Sequence, residues 1–337
     1  MTRNRIVKLA IGLGVSLAFV WLVVRDLDVS KFGAAMAEAS PLWIAIAAAF
    51  FFGGYAARVQ RWRLMLTDTN PSLSFGRTAV PLFASVAANN VLPFRAGDAL
   101  RAVAFSRWLG VGTSRVLATL LVERLLDLLS LLVFAALLLS LLAQGLDGAW
   151  AALGVGGNLL AAIAFVVLVV LLRPRLFAGP AHATARLIGR SSPGIGARVD
   201  GIMTQIFDTL AEQARGARMT QLMLWSGLAW TLEGGIFYAT ARALPSLTEM
   251  TGAILAFPVA TLATLLPSTP GYVGTFDFFA IQMAELAGNP PAAAAAFAVL
   301  VHMVLWLAAT ITGGICLLIW IFLGNGRNQP ETAPTAQ

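Results

Sequence analysis

Apolar runs close to 20 residues recur along this chain, at 6–24, 118–142, 149–172 and 292–323. About 20 apolar residues are what a helix needs to cross the hydrocarbon core of a bilayer. Lipid offers no hydrogen-bond partner to the backbone, so such runs have to be helical. Hydrophobic residues fill 58% of the 337 positions and charged residues 12%, about half the charged share of a soluble domain. The chain therefore reads as all-α, a polytopic integral membrane helical bundle. A single membrane domain is expected over 1–323, with no soluble domain beside it and a polar, disordered cytoplasmic tail over 324–337.

The net charge of +7 does not point to nucleic acid. The basic residues lie between the apolar runs and form no block, which is how cytoplasmic flanks of membrane helices look. Arg3, Arg5 and Lys8 before the first run resemble a signal sequence. The run is long, however, and Arg25-Asp26-Leu27-Asp28 stands where a cleavage site would need small residues. It reads as an uncleaved first span. Cys316, the single cysteine, excludes a disulfide or a cysteine metal site within one chain. No metal or cofactor motif is present, and no cofactor is expected.

Full spans are expected at about 6–24, 41–60, 116–143, 149–172, 219–241 and 292–323. Two further apolar stretches, 78–92 and 252–266, are about 15 residues long and reach roughly 22 Å, short of a core of about 30 Å. Each ends at a Leu-Pro pair, Leu92-Pro93 and Leu266-Pro267, and a second short helical stretch follows. Both read as first arms of re-entrant helical hairpins. With both termini cytoplasmic, nineteen of the 23 basic residues fall on the cytoplasmic side, three outside and one, Arg124, within a span. Within the longest cytoplasmic loop, 173–218, Ile195, Val199, Ile202, Ile206 and Leu210 recur at helical spacing, an amphipathic helix for the membrane face.

The stretches 41–143 and 219–323 resemble each other. Pro93 corresponds to Pro267, Gly110 to Gly288 and Arg124 to His302, at a nearly constant offset along the chain. The charge assignment gives the two units opposite topology, an inverted repeat. Transporters of that plan place the substrate where broken helices meet near the midplane.

Few charges lie inside the spans. Glu123 and Asp127 share a helix face, with Arg124 offset by about 100°. Glu233 lies in another span, and Asp98 and Arg101 have an i,i+3 spacing that permits a pair. Intramembrane charges need a partner or a wet cavity. Two readings stay open: these groups pair with Arg95 or Arg101 and only hold helices together, or they shape a cavity that accepts a charged head group. Arg58, Arg61 and Arg63 read as interface anchors, His182 as an inert loop residue, and His302 as either a titrating or a packed neutral histidine.

The series Asn90, Pro93, Arg95, Gly97, Asp98 and Arg101, then Glu123, Arg124 and Asp127, then Pro267, Pro270, Gly271 and Gly274 resembles the lysylphosphatidylglycerol synthase transmembrane-region, or flippase-like, family over nearly the whole chain. Asp277 stands where that family often has glutamate and His302 where an arginine is common. With Asp277 and His302, the motif residues other than Pro93 are the candidate substrate-binding set. The resemblance implies movement of a lipid across a bacterial inner membrane. It carries over no aminoacyl-transferase activity, and no enzyme is expected. The expected mechanism has Arg95, Arg101 and Arg124 meet an anionic head group while Asp98, Glu123 and Asp127 hold them. Expected partners are a membrane lipid and a lipid-modifying or glycosyl-transferring enzyme. An intramembrane protease is disfavoured because Arg95 replaces the first glycine of a Gly-x-Gly-Asp motif. A non-catalytic partner of a lipid-modifying enzyme is the other reading.

Overall fold

The structure, a computed structural model, describes residues 21, 22, 25, 28–92, 96–142, 149–266 and 269–324. Nearly all of the expected first span, the tail beyond Gly324, and the turn residues Pro93, Arg95 and Pro267 lie outside the described residues. Among the described residues every regular element is helical. In chain order these are α1 (Val29–Ala37), α2 (Pro41–Leu66), α3 (Phe75–Val91), α4 (Ala96–Val103), α5 (Ser106–Leu109), α6 (Thr113–Leu142) and α7 (Ala149–Leu172). Then come α8 (Arg175–Ser191), α9 (Pro193–Gln213), α10 (Arg218–Ala243), α11 (Met250–Ala263), a 3₁₀ turn (Pro270–Tyr272), α12 (Thr275–Leu286) and α13 (Pro291–Gly324).

Three of these, α2, α6 and α13, are long and apolar enough to cross a membrane alone. A fourth joins them if α7 and α8 count as one span bent by 91°. The expected stretch 219–241 is helical within α10, but Gln221, Glu233 and Arg242 make that helix more polar.

The loop 173–218 is more ordered than the sequence suggested. The expected amphipathic helix is α9, and α8 lies against it. Gly179 and Pro180 hid α8, because both residues argue against a helix interior. His182 is therefore helical rather than a loop residue, with Nδ1 2.6 Å from Asp200 Oδ1 on α9.

The contacts pair up across the two related stretches. Helix α2 lies along α10; α3 packs on α13, and α11 on α6; α4 packs on α3, and α12 on α11. Both short arms carry an internal proline, Pro81 in α3 and Pro258 in α11. Small residues let these helices approach closely, as packing inside a bilayer favours. Ala293, Ala294, Ala295 and Ala296 are all buried at the start of α13. Further along, a Cβ on Gly313 would lie 2.2 Å from the Phe83 carbonyl oxygen and 2.4 Å from Ala87 Cβ.

This contact yields an internally controlled test. A Cβ on the neighbouring Gly314 meets nothing within 4 Å, and alanine is about 1 kcal/mol better than glycine inside a helix. Gly314→Ala is expected to leave the thermal unfolding of the detergent-solubilised protein unchanged or raised. Gly313→Ala is expected to lower it, since overpacking costs typically 1–3 kcal/mol. Equal behaviour of the two variants would mean that α3 and α13 are not in this contact.

Candidate functional site

Helix α6 supplies Glu123, Arg124 and Asp127 within little more than one turn, and three neighbouring helices answer them. From α4, Arg101 donates to Glu123 Oε1 at 2.9 Å. From α2, Arg61 donates to Asp127 Oδ1 at 2.7 Å and to the Ser226 hydroxyl of α10 at 2.8 Å. From α10, Trp230 Nε1 donates to the same Asp127 oxygen at 3.1 Å. Arg58, one turn before Arg61, lies 3.0 Å from Glu233 on α10 and over the rings of Tyr55 and Trp230.

Apart from Arg61 and Ser226, these groups line a cavity of about 450 Å³ between α2, α3, α4, α6, α10 and α11, within the range of about 300–1,000 Å³ usual for small-molecule sites. Its wall is mixed. Tyr55, Asn89, Asn90, Asp98, Thr261, Thr264 and Tyr272 give uncharged or acidic polar groups, and Leu82, Val86, Leu125, Leu128 and Leu131 give apolar surface. Leu129, one helical turn beyond Leu125, begins an apolar groove of about 400 Å³ between α6 and α7 that continues along Val133 and Leu137.

The arginines differ in freedom. The Arg101 side chain is 2% exposed, clamped between Glu123 and the face of Trp62. That of Arg61 is 1% exposed. Arg124 is 44% exposed, and its carboxylate neighbours are loose, at 3.6 Å from Asp98, 3.4 Å from Glu123 and 4.0 Å from Asp127. Among the described residues, Arg124 is thus the most exposed of the arginines that line the cavity.

Of the sequence-read site residues, Asn90, Asp98, Arg101, Glu123, Arg124 and Asp127 meet at this cavity. Gly97 stands behind it: its N–H donates to Asn89 Oδ1, and a Cβ there would overlap the Ser85 carbonyl oxygen. Pro270, Gly271, Gly274, Asp277 and His302 form a second cluster. Gly271 and His302 line an adjoining cavity of about 170 Å³, which shares Tyr55, Asn90, Glu233 and Tyr272 with the first. Arg95 and Pro267 lie outside the described residues.

Two expectations need correcting. Asp98 does not pair with Arg101, because Arg101 turns to Trp62 and Glu123 on the buried side of α4. Asp98 faces Arg124 and accepts from Asn89 instead. Nor are Arg58 and Arg61 interface anchors. Arg63 donates to the Leu73 carbonyl, Arg61 is the buried partner of Asp127, and Arg58 lines the cavity. A signal was available in the sequence: Tyr55, Arg58 and Arg61 repeat at i,i+3 on one helix face, and Trp230 and Glu233 do the same on α10.

Fold and site together define a helical membrane protein whose bundle encloses a cavity lined with paired charges. The chain belongs to the family described as the lysylphosphatidylglycerol synthase TM region, whose model matches residues 9–313. It is also similar to the protein named Glycosyltransferase AglD of Haloferax volcanii. The two are 30% identical over 348 aligned positions, which cover 93% of this chain and 54% of that relative. The chain spans about half the length of this curated relative.

A double-mutant test follows from the buried pair. Removing one partner of a buried ion pair costs roughly 3–5 kcal/mol, whereas exchanging both for apolar residues is often close to neutral. Arg61→Met is expected to lower the unfolding temperature of the solubilised protein strongly, and Arg61→Met with Asp127→Leu to recover most of the loss. Additive losses would mean that the two side chains do not meet.

Proposed function

We propose that this protein moves a lipid with a polar, anionic head group across the bacterial inner membrane, as a flippase rather than an enzyme. The observation that carries the reading is the half-exposed Arg124 in a polar cavity, one helical turn from an apolar groove on the same helix. A head group and its tails need such a junction of polar and apolar surface. Arginine binds phosphate through two parallel, charge-assisted hydrogen bonds. Asp98, Glu123 and Asp127 orient Arg124 without consuming it, while Arg101 and Arg61 hold Glu123 and Asp127 from behind.

In this proposal α3–α4 and α11–α12 are the two re-entrant hairpins of an inverted repeat. The paired contacts α3 with α13 and α11 with α6 support that reading, as does the internal proline in each first arm. The asymmetry of the basic residues supports cytoplasmic termini. A second reading is that the bundle serves a lipid-modifying or glycosyl-transferring partner without moving lipid itself. It draws on the similarity to a relative about twice as long that is named a glycosyltransferase.

Reconstitution separates the two. Proteoliposomes would be assayed for inward and outward movement of fluorescent phosphatidylglycerol, phosphatidylethanolamine and a polyprenyl-phosphate lipid. A hydrogen bond to a charged group is worth roughly 1.5–3 kcal/mol, so Arg124→Ala is expected to slow the favoured anionic lipid by about 10- to 100-fold. Asp98→Asn is expected to slow it as well. If the folded wild type moves none of these lipids, the partner reading replaces the flippase.

A further inference from the structure

His302 lies within α13, partly buried against Asp277 of α12. Nδ1 is 2.7 Å from Asp277 Oδ1, and Nε2 is 2.8 Å from the carbonyl oxygen of Gly271. A carbonyl oxygen can only accept, so Nε2 carries a hydrogen. At Nδ1, an imidazole lone pair would repel a carboxylate lone pair at this distance, so a proton lies there too. A neutral ring has one hydrogen to give. The geometry therefore holds one proton more than a neutral histidine beside an ionised aspartate. Asp277 Oδ2 accepts the backbone N–H of Gly274 at 2.9 Å, and an imidazole is a stronger base than a carboxylate. The extra proton accordingly sits on the ring, as an imidazolium.

We propose that Asp277 and His302 form a proton-binding site whose occupancy fastens the turn Pro270–Tyr272 beside the cavity. Gly271 and Tyr272 both have left-handed backbones, with φ of 74° and 62°. A residue with a side chain keeps such a conformation only where its surroundings hold it there. The Nε2–H bond to Gly271 is one of the ties, and the Tyr272 N–H bond to the Thr269 carbonyl at 3.0 Å is another. When one proton is lost, the ring keeps the stronger, charge-assisted bond to Asp277. The proton that leaves is the one on Nε2, towards the 170 Å³ cavity that His302 lines. The Gly271 oxygen then faces a lone pair, and the turn carrying Tyr272 loses one of the ties that hold it at the wall of both cavities.

Other titratable groups near the ring do not compete for this role. Glu233 of α10, which lines the same cavity, is matched by Arg58 at 3.0 Å. Tyr55 of α2 and Tyr272 present phenol groups to the same cavity. The neighbouring side chain from α3 is the uncharged Asn90, and Lys31 and Glu38 at α1 are exposed. Glu285, the other acid of α12, lies two turns beyond Asp277, about 12 Å along the helix. The related stretch of the chain carries the contrast. Arg124, which holds the position there that His302 holds here, faces Asp98 at 3.6 Å, and a guanidinium does not release its proton. One half of the bundle thus holds a permanent cation and the other a releasable one. Only the last step, altered access for a lipid, rests on the proposed transport function.

The chain has two histidines, so His182→Gln leaves His302 as the sole ring reporter. Nitrogen-15 NMR of histidine-labelled protein in nanodiscs is expected to find both ring nitrogens protonated at neutral pH and one proton lost as pH rises. In Asp277→Asn the ring is expected to hold one proton already at neutral pH. Hydrogen exchange at residues 269–274, corrected for intrinsic rate, is expected to quicken in step with the wild-type titration and to stay flat in His302→Arg. A singly protonated wild-type ring at neutral pH, or turn exchange indifferent to its titration, overturns the proposal. Lipid movement in vesicles is expected to follow the same titration and to be pH-independent in His302→Arg. If no lipid moves at all, the transport reading fails, while NMR and exchange still decide the proton site.

Discussion

A charge placed in an apolar bundle costs several kilocalories per mole unless a partner answers it, and this fold is arranged around that constraint. Glu123, Arg124 and Asp127 sit on one stretch of α6, and their partners come from α2, α4 and α10. Each pair fixes the approach of one helix to α6, so the polar cavity and the packing of the bundle have a common origin. Among the described residues at the site, Arg58, Arg61, Arg101 and Arg124 face Asp98, Glu123, Asp127 and Glu233. The balance is even. What distinguishes Arg124 is slack: its contacts are long and its side chain is half in the open, which in the proposed function lets a phosphate reach it without dismantling the framework.

The two related stretches of the chain use one device with different chemistry. In each, the second short helix supplies an aspartate, Asp98 or Asp277, to a base on the last long helix, Arg124 or His302. In the proposed inverted repeat, a strictly symmetric pair of hairpins would give no preference between two access states. In the proposed scheme, a releasable proton in place of a fixed charge gives one half a bias that pH can switch.

Much of the architecture was legible from the sequence. Run lengths located the long helices, and the proline–glycine punctuation marked the short arms α3 and α11. The matching positions of Arg124 and His302 linked the two stretches before any contact was known. The motif residues Asn90, Asp98, Glu123 and Arg124 were picked out together, and they do share one cavity. Partner choice was not legible. Arg101 could reach Asp98 or Glu123, and only the position of Trp62 decides between them. Arg58 and Arg61 looked like interface residues because helix ends usually carry them, and their burial depends on α10, far along the chain. Helix α8 was hidden by Gly179 and Pro180, whose local preferences yield to packing against α9.

The proposed function requires the cavity beside Arg124 to receive a lipid head group, and site-specific photo-crosslinking can show whether it does. A photo-reactive residue would be placed at Leu128, which lines the cavity, or at Phe165, exposed on α7, in vesicles containing phosphatidylglycerol and a polyprenyl phosphate. Fragmentation of the adducts locates the attachment on head group or chain. Leu128 is expected to capture head groups, with the yield falling in Arg124→Ala, and Phe165 to capture chains in both backgrounds. Capture of chains alone at Leu128, or a head-group yield indifferent to Arg124, would contradict the account.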